Sequence, residues 1–208
     1  MPEAHEAAQE AAEHAEGHHL EGSNKRIALL IAVLALFLSF SETLGKSSQT
    51  SAISSNVEAA NLWAFFQAKT IRMTQLRVAA DGMAVGAVAA ADPALKVAQQ
   101  KQIDDWRKTA ERYDSEPSTG EGRKELAERA KRAEEKRDHS LARYHNFEIA
   151  SAAFQIAIVL ASATVITSMI ALAYLAGLLG VAGLVFTAIG LISPHFIETL
   201  LAFFGAGH

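Results

Sequence analysis

The sequence contains no cysteine, which excludes disulfides, thiolate metal sites and a cysteine nucleophile. Aromatic residues are scarce at 7%, and charged residues make up 20% against 50% hydrophobic. Much of the apolar share is alanine, and β-branched residues are few outside the long apolar runs. That composition favours helices over sheets, because alanine has the highest helix propensity. Net charge is −4, so there is no excess of base to attract a nucleic-acid backbone, and nucleic acid is not an expected partner. The local patterns of common catalytic sites are also missing. No serine stands in a nucleophile-elbow context, and Gly82 to Gly86 lacks the Lys-Ser/Thr end of a phosphate loop. His5-Glu6 begins a zinc-protease pattern without the second imidazole that this chemistry needs. The chain is expected to be neither an enzyme nor the carrier of a cofactor.

What is present is apolar length. From Ile149 to Ile192 the chain runs 44 residues without one Asp, Glu, Lys or Arg. As a single helix it would be ~66 Å long, about twice the ~30 Å hydrocarbon core of a bilayer. Two spans are predicted instead, at residues 149–172 and 174–192, with the turn between Ala173 and Gly180 where Gly177 and Gly180 sit. Ser193-Pro194 ends this hairpin and leaves a short tail, 193–208. A soluble hairpin buried in a core would need comparable apolar surface elsewhere to cover it, and the chain has none. A shorter apolar run, Ile27 to Phe40, follows Lys25-Arg26 and passes through Ser41 and Glu42 to Leu44-Gly45. It predicts a first span at 27–44. A cleaved signal peptide has a similar layout, but the acidic leader before this run is foreign to one.

That leader, residues 1–26, carries Glu3, Glu6, Glu10, Glu13, Glu16 and Glu21. A frayed helix is expected from about Glu3 to Glu16, broken at Gly17 and Gly22. His14 and His18 stand four apart, so their imidazoles would share a helical face, and His19 adjoins them. With Glu10 or Glu13 they are weak candidates for metal ligands. A solvated Ala/Glu/His tail is the plain alternative.

Residues 45–148 read as a helical extramembrane domain. Ser51 to Val78 has Ile53, Val57, Ala60, Ala64 and Ile71 at helical spacing, with Trp63 and Phe66 beside them. Asp81-Gly82 is a possible break. Asp92-Pro93 is a helix start, an Asp cap followed by Pro at the first helical position. The helix it opens has Ile103, Trp106, Ala110 and Tyr113 on one stripe. Glu116 to Gly120 is a turn, and Ser118 with Glu121 has capping-box spacing for a third helix. Leu126, Ala130, Ala133, Leu141 and Tyr144 give that helix roughly heptad spacing, and no stop signal separates it from the second span. Its charges alternate in sign from Arg123 to Arg143, as on a solvated helix or a coiled-coil flank.

Three further groups are candidates for function. Trp63, Phe66, Gln67, Lys69 and Arg72 form a candidate interaction site, or else a helix packed within its own domain. Ala153, Ala157 and Ala161 make a small-residue ladder in the second span, which favours close helix packing, and Gln155 is placed to hydrogen-bond across it. His139 and the His145–Glu148 pair stand near the membrane and read as interfacial polar residues or a pH-sensitive element. The orientation cues conflict. Lys25-Arg26 argue for a cytoplasmic N-terminus, whereas Lys131, Arg132, Lys136, Arg137 and Arg143 argue for a cytoplasmic middle domain.

The stretch Asn61-Leu-Trp-Ala-Phe-Phe-Gln-Ala-Lys-Thr-Ile-Arg72, soon after a first span, resembles the signature of a bacterial membrane-protein family, domain of unknown function 4337. Arg137-Asp-His139 and His145-Asn-Phe-Glu-Ile-Ala150, running into Phe154-Gln-Ile-Ala-Ile-Val159, resemble it too, and the similarity covers about Ile27 to Ile192. The resemblance implies three spans, a helical domain between the first two and no assigned activity. Members often carry basic residues between the last two spans, implying a cytoplasmic tip; this chain has none there. The expectation is therefore an all-α, three-span protein of the bacterial inner membrane, with a helical, coiled-coil-like domain between the first and second spans. Its expected partners are the lipid bilayer and a second copy or another membrane protein, and its expected role is scaffolding by oligomerisation through the helical domain and second span. A transport or channel component, with Gln155, Ser162 and either Thr164 or Ser168 lining a path, is one alternative. A metal- or pH-responsive sensor using the N-terminal histidines is another.

Overall fold

The structure, a computed structural model, describes residues 3–89 and 91–196, with side chains from residue 25 onward. Four helices account for nearly all of this: α1 (Glu3–Ala89), α2 (Pro93–Asp114), α3 (Arg123–Thr167) and α4 (Ile170–Ile192). No strand occurs among the described residues. Three of the helices are long and apolar enough to cross a membrane: Lys25–Ala89 of α1, all of α3 and all of α4. The chain divides into two compact units, one made of residues 1–50 and 139–208, the other of residues 51–138.

Several expected boundaries move. α1 runs unbroken through Gly17, Gly22, Gly45 and Gly82, because an isolated glycine weakens a helix by only about 1 kcal/mol relative to alanine. The helix breaks expected at Gly17, Gly22 and Asp81-Gly82 are therefore absent. The hairpin turns at Ser168-Met169, not between Ala173 and Gly180, so the boundaries 149–172 and 174–192 become Thr167 and Ile170. Backbone and hydroxyl bonds together shape this turn. Thr167 Oγ1 accepts from the Met169 N–H at 3.4 Å, the Ser168 N–H donates to Thr164 O at 2.9 Å, and Ser168 takes a positive φ of 56°.

In the first unit, α1 to residue 50, α3 from residue 139 and α4 pack around Ile27, Leu34, Ala150, Phe154, Ala157, Ala161 and Ala176. The buried positions of α4 are Ala176, Gly180, Gly183, Thr187 and Gly190. Their alternating spacing of four and three residues defines one face, and every residue on it is small. Large side chains from the other two helices fill that groove. A Cβ at Gly180 would meet Leu34 Cδ2 at 2.7 Å, one at Gly183 would meet the Phe154 ring at 2.7 Å, and one at Gly190 would meet the Phe147 ring at 3.0 Å. Phe37 stacks on Phe154 with centroids 6.1 Å apart. Two polar contacts fix the register. Thr187 donates its hydroxyl to Gly183 O at 2.9 Å, which leaves Ser41 as the donor in the 3.1 Å Ser41–Thr187 contact. Buried Asn146 donates to both Ala142 O and Pro194 O at 2.9 Å, tying the end of α4 to α3.

In the second unit, Ala59, Leu62, Leu126, Ala130 and Ala133 form the core, with Trp63 and Phe66 packed against it. α2 contributes Ile103 and Ala110, and α1 contributes Met73, Ala80 and Ala87. Asp92 caps α2 as its sequence indicates, accepting from the Ala94 N–H at 2.9 Å with Pro93 at the first helical position. α3 starts differently. The Ser118–Glu121 capping box is replaced by Gly122, whose carbonyl accepts from Leu126 N–H at 2.9 Å. Glu125 reaches back to the Ser115 hydroxyl at 2.6 Å and the Glu116 N–H at 3.2 Å. Gly122 has no room for a side chain, since a Cβ would lie 2.7 Å from Ser115 Cα. Two sequence stripes are also reassigned. Leu141 is exposed, unlike Leu126, Ala130 and Ala133. On α1 the side facing the core is Ala52, Ser55, Ala59 and Leu62, while Ile53 and Val57 are exposed.

Candidate functional site

The segment singled out on α1 is divided in its roles. Trp63 Nε1–H donates to Glu134 Oε1 at 2.9 Å, and its ring meets Phe66 edge-on at 5.3 Å between centroids. The Arg123 guanidinium lies 5.6 Å from the Phe66 centroid. Lys69 Nζ sits 4.9 Å from the centre of the Tyr113 ring and 3.9 Å from the Glu121 carboxylate. Trp63, Phe66 and Lys69 thus hold α1 to α3 and to the end of α2, whereas Gln67 and Arg72 are exposed. Glu134 and Tyr113 were not legible as partners, because each lies far along the chain from the residue it meets.

Below this packing is a charged corner where α2 gives way to α3. Asp114 receives Arg123 at 2.8 Å and Lys124 at 2.9 Å. The Lys124 hydrogen bond, with help from Arg123, holds the Asp114 carboxyl below its ordinary pKa. Arg112, 2.7 Å away, lowers that of Glu116, and the Ser115 hydroxyl lowers that of Glu125.

The second-span ladder lies inside the first unit. Ala157 and Ala161 are fully buried in its core, while Ala153 is partly exposed and Gln155 exposed. Gln155 Nε2 donates to Glu42 Oε1 at 3.2 Å, so the amide does bridge two helices, α3 and α1. Ser162, Thr164 and Thr167 turn their hydroxyls back to Ile158 O, Leu160 O and Ala163 O, at 2.8, 3.0 and 2.8 Å. Such bonds satisfy a hydroxyl within its own helix.

Around Gln155 the first unit carries a groove of about 410 Å³ in which polar Glu42, Lys46, Glu148 and Gln155 adjoin apolar Phe147 and Ala152. Tyr144 donates to Glu148 Oε1 at 3.2 Å, and His145 Nδ1 lies 3.5 Å from the other Glu148 oxygen. His139 and His195 face each other with ring centroids 5.5 Å apart. The groove marks the level at which the apolar stretches of α1 and α3 give way to charge. Among the described residues no group of three or more His, Asp or Glu is arranged to hold a metal. The side chains of His14, His18 and His19 lie outside the described residues.

A protein-family model described as a domain of unknown function (DUF4337) matches residues 23–193. No curated protein and no solved structure matches the chain.

Proposed function

This chain belongs to the DUF4337 family, and from that premise we propose that it is a three-span protein of the bacterial inner membrane whose helical second unit serves as a scaffold rather than an enzyme. The observation that carries the proposal is the apolar exterior of the first unit, wrapped around a core that includes polar and small residues. Its interior holds Ser41, Thr164, Thr187 and three glycines, while Leu29, Leu36, Ile156, Val159, Leu178, Val181 and Ile192 stand exposed. In water this arrangement would leave a large contiguous apolar surface uncovered. In a bilayer the same surface meets lipid, and close packing of small residues supplies the association that the hydrophobic effect no longer provides. α4, with 23 residues, would be ~35 Å long and fits a ~30 Å core with modest tilt.

The seven-residue spacing of buried positions on α1 and α3 supports a coiled-coil-like packing of the second unit. The groove around Glu42, Lys46, Tyr144 and Glu148 fits the membrane interface, where aromatic and basic side chains anchor a span. Alkaline carbonate extraction tests the membrane assignment: retention in the pellet is expected, and release into the supernatant would overturn it. The cysteine-free background then allows topology to be read from Ser23→Cys and Ser118→Cys with an impermeant thiol reagent. Labelling at Ser118 alone is expected if Lys25-Arg26 keep the N-terminus in the cytoplasm, and labelling at Ser23 alone would reverse the orientation.

A further inference from the structure

The groove around Gln155 lies wholly within the first unit, between α1 and α3. Glu42 meets Gln155, and one turn further along α1 Gly45 comes up against Phe147, eight residues back along α3. The two helices therefore run in opposite directions through the groove. Its hydrogen-bonding groups are unevenly used. Gln155 Nε2 donates to Glu42 Oε1 and the Tyr144 hydroxyl to Glu148 Oε1, each at 3.2 Å. Those donors are spent on holding two carboxylates in place, while acceptors stay open beside them: the second Glu42 oxygen, Gln155 Oε1 and the Ser151 hydroxyl. Ser151 is 8% exposed, lines the groove and makes no hydrogen bond to any described residue, an uncommon state for a buried hydroxyl. Among the described residues neither Glu42 nor Glu148 has a Lys or Arg nitrogen within 4 Å; Glu148 has only His145, at 3.5 Å. Lys46, one turn from Glu42, likewise has no carboxylate within 4 Å among the described residues.

This pattern specifies a ligand by its chemistry. Two carboxylates with open acceptors beside them suit a cation that brings its own N–H donors, and a primary ammonium brings three. A quaternary ammonium brings none and is recognised by aromatic faces enclosing it, whereas Phe147 is fully buried in the core. Lys46 suits an anion on the same ligand. Glu42 and Lys46 are separated by about 6 Å of helix rise, so an ammonium and a phosphate carried side by side match them. The neighbouring surface supplies the remainder. One turn deeper on the same helix faces stand Leu38 of α1 and Val159 of α3, the latter 66% exposed, where acyl chains would lie.

We propose that this groove binds the head group of a phosphatidylethanolamine, with the ammonium at Glu42, Glu148 and Ser151 and the phosphate at Lys46. A lipid as the source of the head group rests on the membrane assignment above; the choice of a primary amine over a quaternary one does not.

The test uses the full chain purified in detergent and mixed with phosphatidylethanolamine or with phosphatidylcholine of the same acyl chains, the bound lipid being counted by native mass spectrometry. Phosphatidylethanolamine should be retained about tenfold or more in preference, the scale of one charge-assisted hydrogen bond. Equal retention overturns the proposal, as does stronger retention of phosphatidylglycerol, whose head group has no amine. Glu42→Gln with Glu148→Gln should remove the preference with unchanged helical circular dichroism, and a preference that survives also overturns it. The single exposed change Lys46→Ala serves as a milder second variant; it should weaken retention about tenfold, and unchanged retention removes the phosphate contact on which the proposal stands. Soluble glycerophosphoethanolamine should compete poorly with the lipid; competition as effective as the lipid's own would mean a free amine and overturn the lipid source. Carbonate extraction separates the two assignments. Release from the membrane with the amine preference intact defeats the membrane assignment alone, and retention without a preference defeats the head-group site alone.

Discussion

The ring of Phe154 occupies the space that a side chain at Gly183 would need, with Cε1 lying 2.7 Å from where its Cβ would stand. Phe154 is fully buried by this contact. The largest side chains of α3 are therefore admitted to the core only because α4 offers no side chains of its own there.

Gly183→Ala is expected to destabilise the first unit by about 1–3 kcal/mol, the usual cost of forcing extra volume into a packed core. Gly177→Ala is the matched control, since nothing lies within 4 Å of its added methyl. It should be neutral or stabilising by up to about 1 kcal/mol through helix propensity. Denaturation of the two purified variants in the same detergent gives the comparison, and equal effects would contradict the packing described.

The buried Ser41–Thr187 contact should show a modest coupling. A double-mutant cycle with Ser41→Ala and Thr187→Val is expected to give about 0.6 kcal/mol, the average for hydrogen bonds between helices in a bilayer. Strict additivity would mean that the two hydroxyls do not interact.

Trp63→Phe keeps the aromatic packing on Phe66 but removes the indole N–H from Glu134. A loss of about 1.5–3 kcal/mol is expected, the range for a hydrogen bond to a charged group. Gln67→Ala and Arg72→Ala should each change stability by less than about 0.5 kcal/mol, as exposed positions do. Thermal melts followed by circular dichroism decide this, and a neutral Trp63→Phe would show that the segment is not fastened through its indole.

Acid should loosen the second unit at its charged corner. Folding lowers the pKa values of Asp114, Glu116 and Glu125. Their contribution is therefore complete above the ordinary carboxylate range, near pH 4–5, and is lost as pH falls through the lowered values. The melting temperature should hold steady from about pH 8 to pH 5 and drop below about pH 4, with a shallower drop in Asp114→Asn. An unchanged acid limb in that variant would remove Asp114 from the effect.

Elements announced by local chemistry were the legible ones. Asp92-Pro93 carries its own cap, and the uncharged stretch from Ile149 to Ile192 can only be divided into two helices of membrane-spanning length. Glycine was the poorest guide. At Gly177 and Gly180 it suggested a turn, yet Gly180 serves the approach of Leu34, and the turn is made by Thr167 and Ser168. A sequence shows that a residue is small, not which neighbour needs the space. The same difficulty reversed α1. Ile53, Val57 and Ile71 have the hydrophobicity of a core face, but the core took the side carrying Ala52, Ser55 and Ala59, where helices approach more closely. Trp63 was recognisable as a focus of the segment, and its partner Glu134 was not, because nothing local to either residue encodes the other.

Leu34 Cδ2 stands 2.7 Å from the position of a Cβ on Gly180, so a side chain at residue 180 is admitted only if the end of the leucine moves aside. Relatives that enlarge residue 180 are expected to carry, more often than others, a smaller residue 34 or one turned away from α4. The exposed positions of the same helix, such as Leu178 and Val181, are free to exchange among apolar types without any such partner. Paired change on the inner face and independent drift on the outer one is the evolutionary signature that this groove predicts for its family.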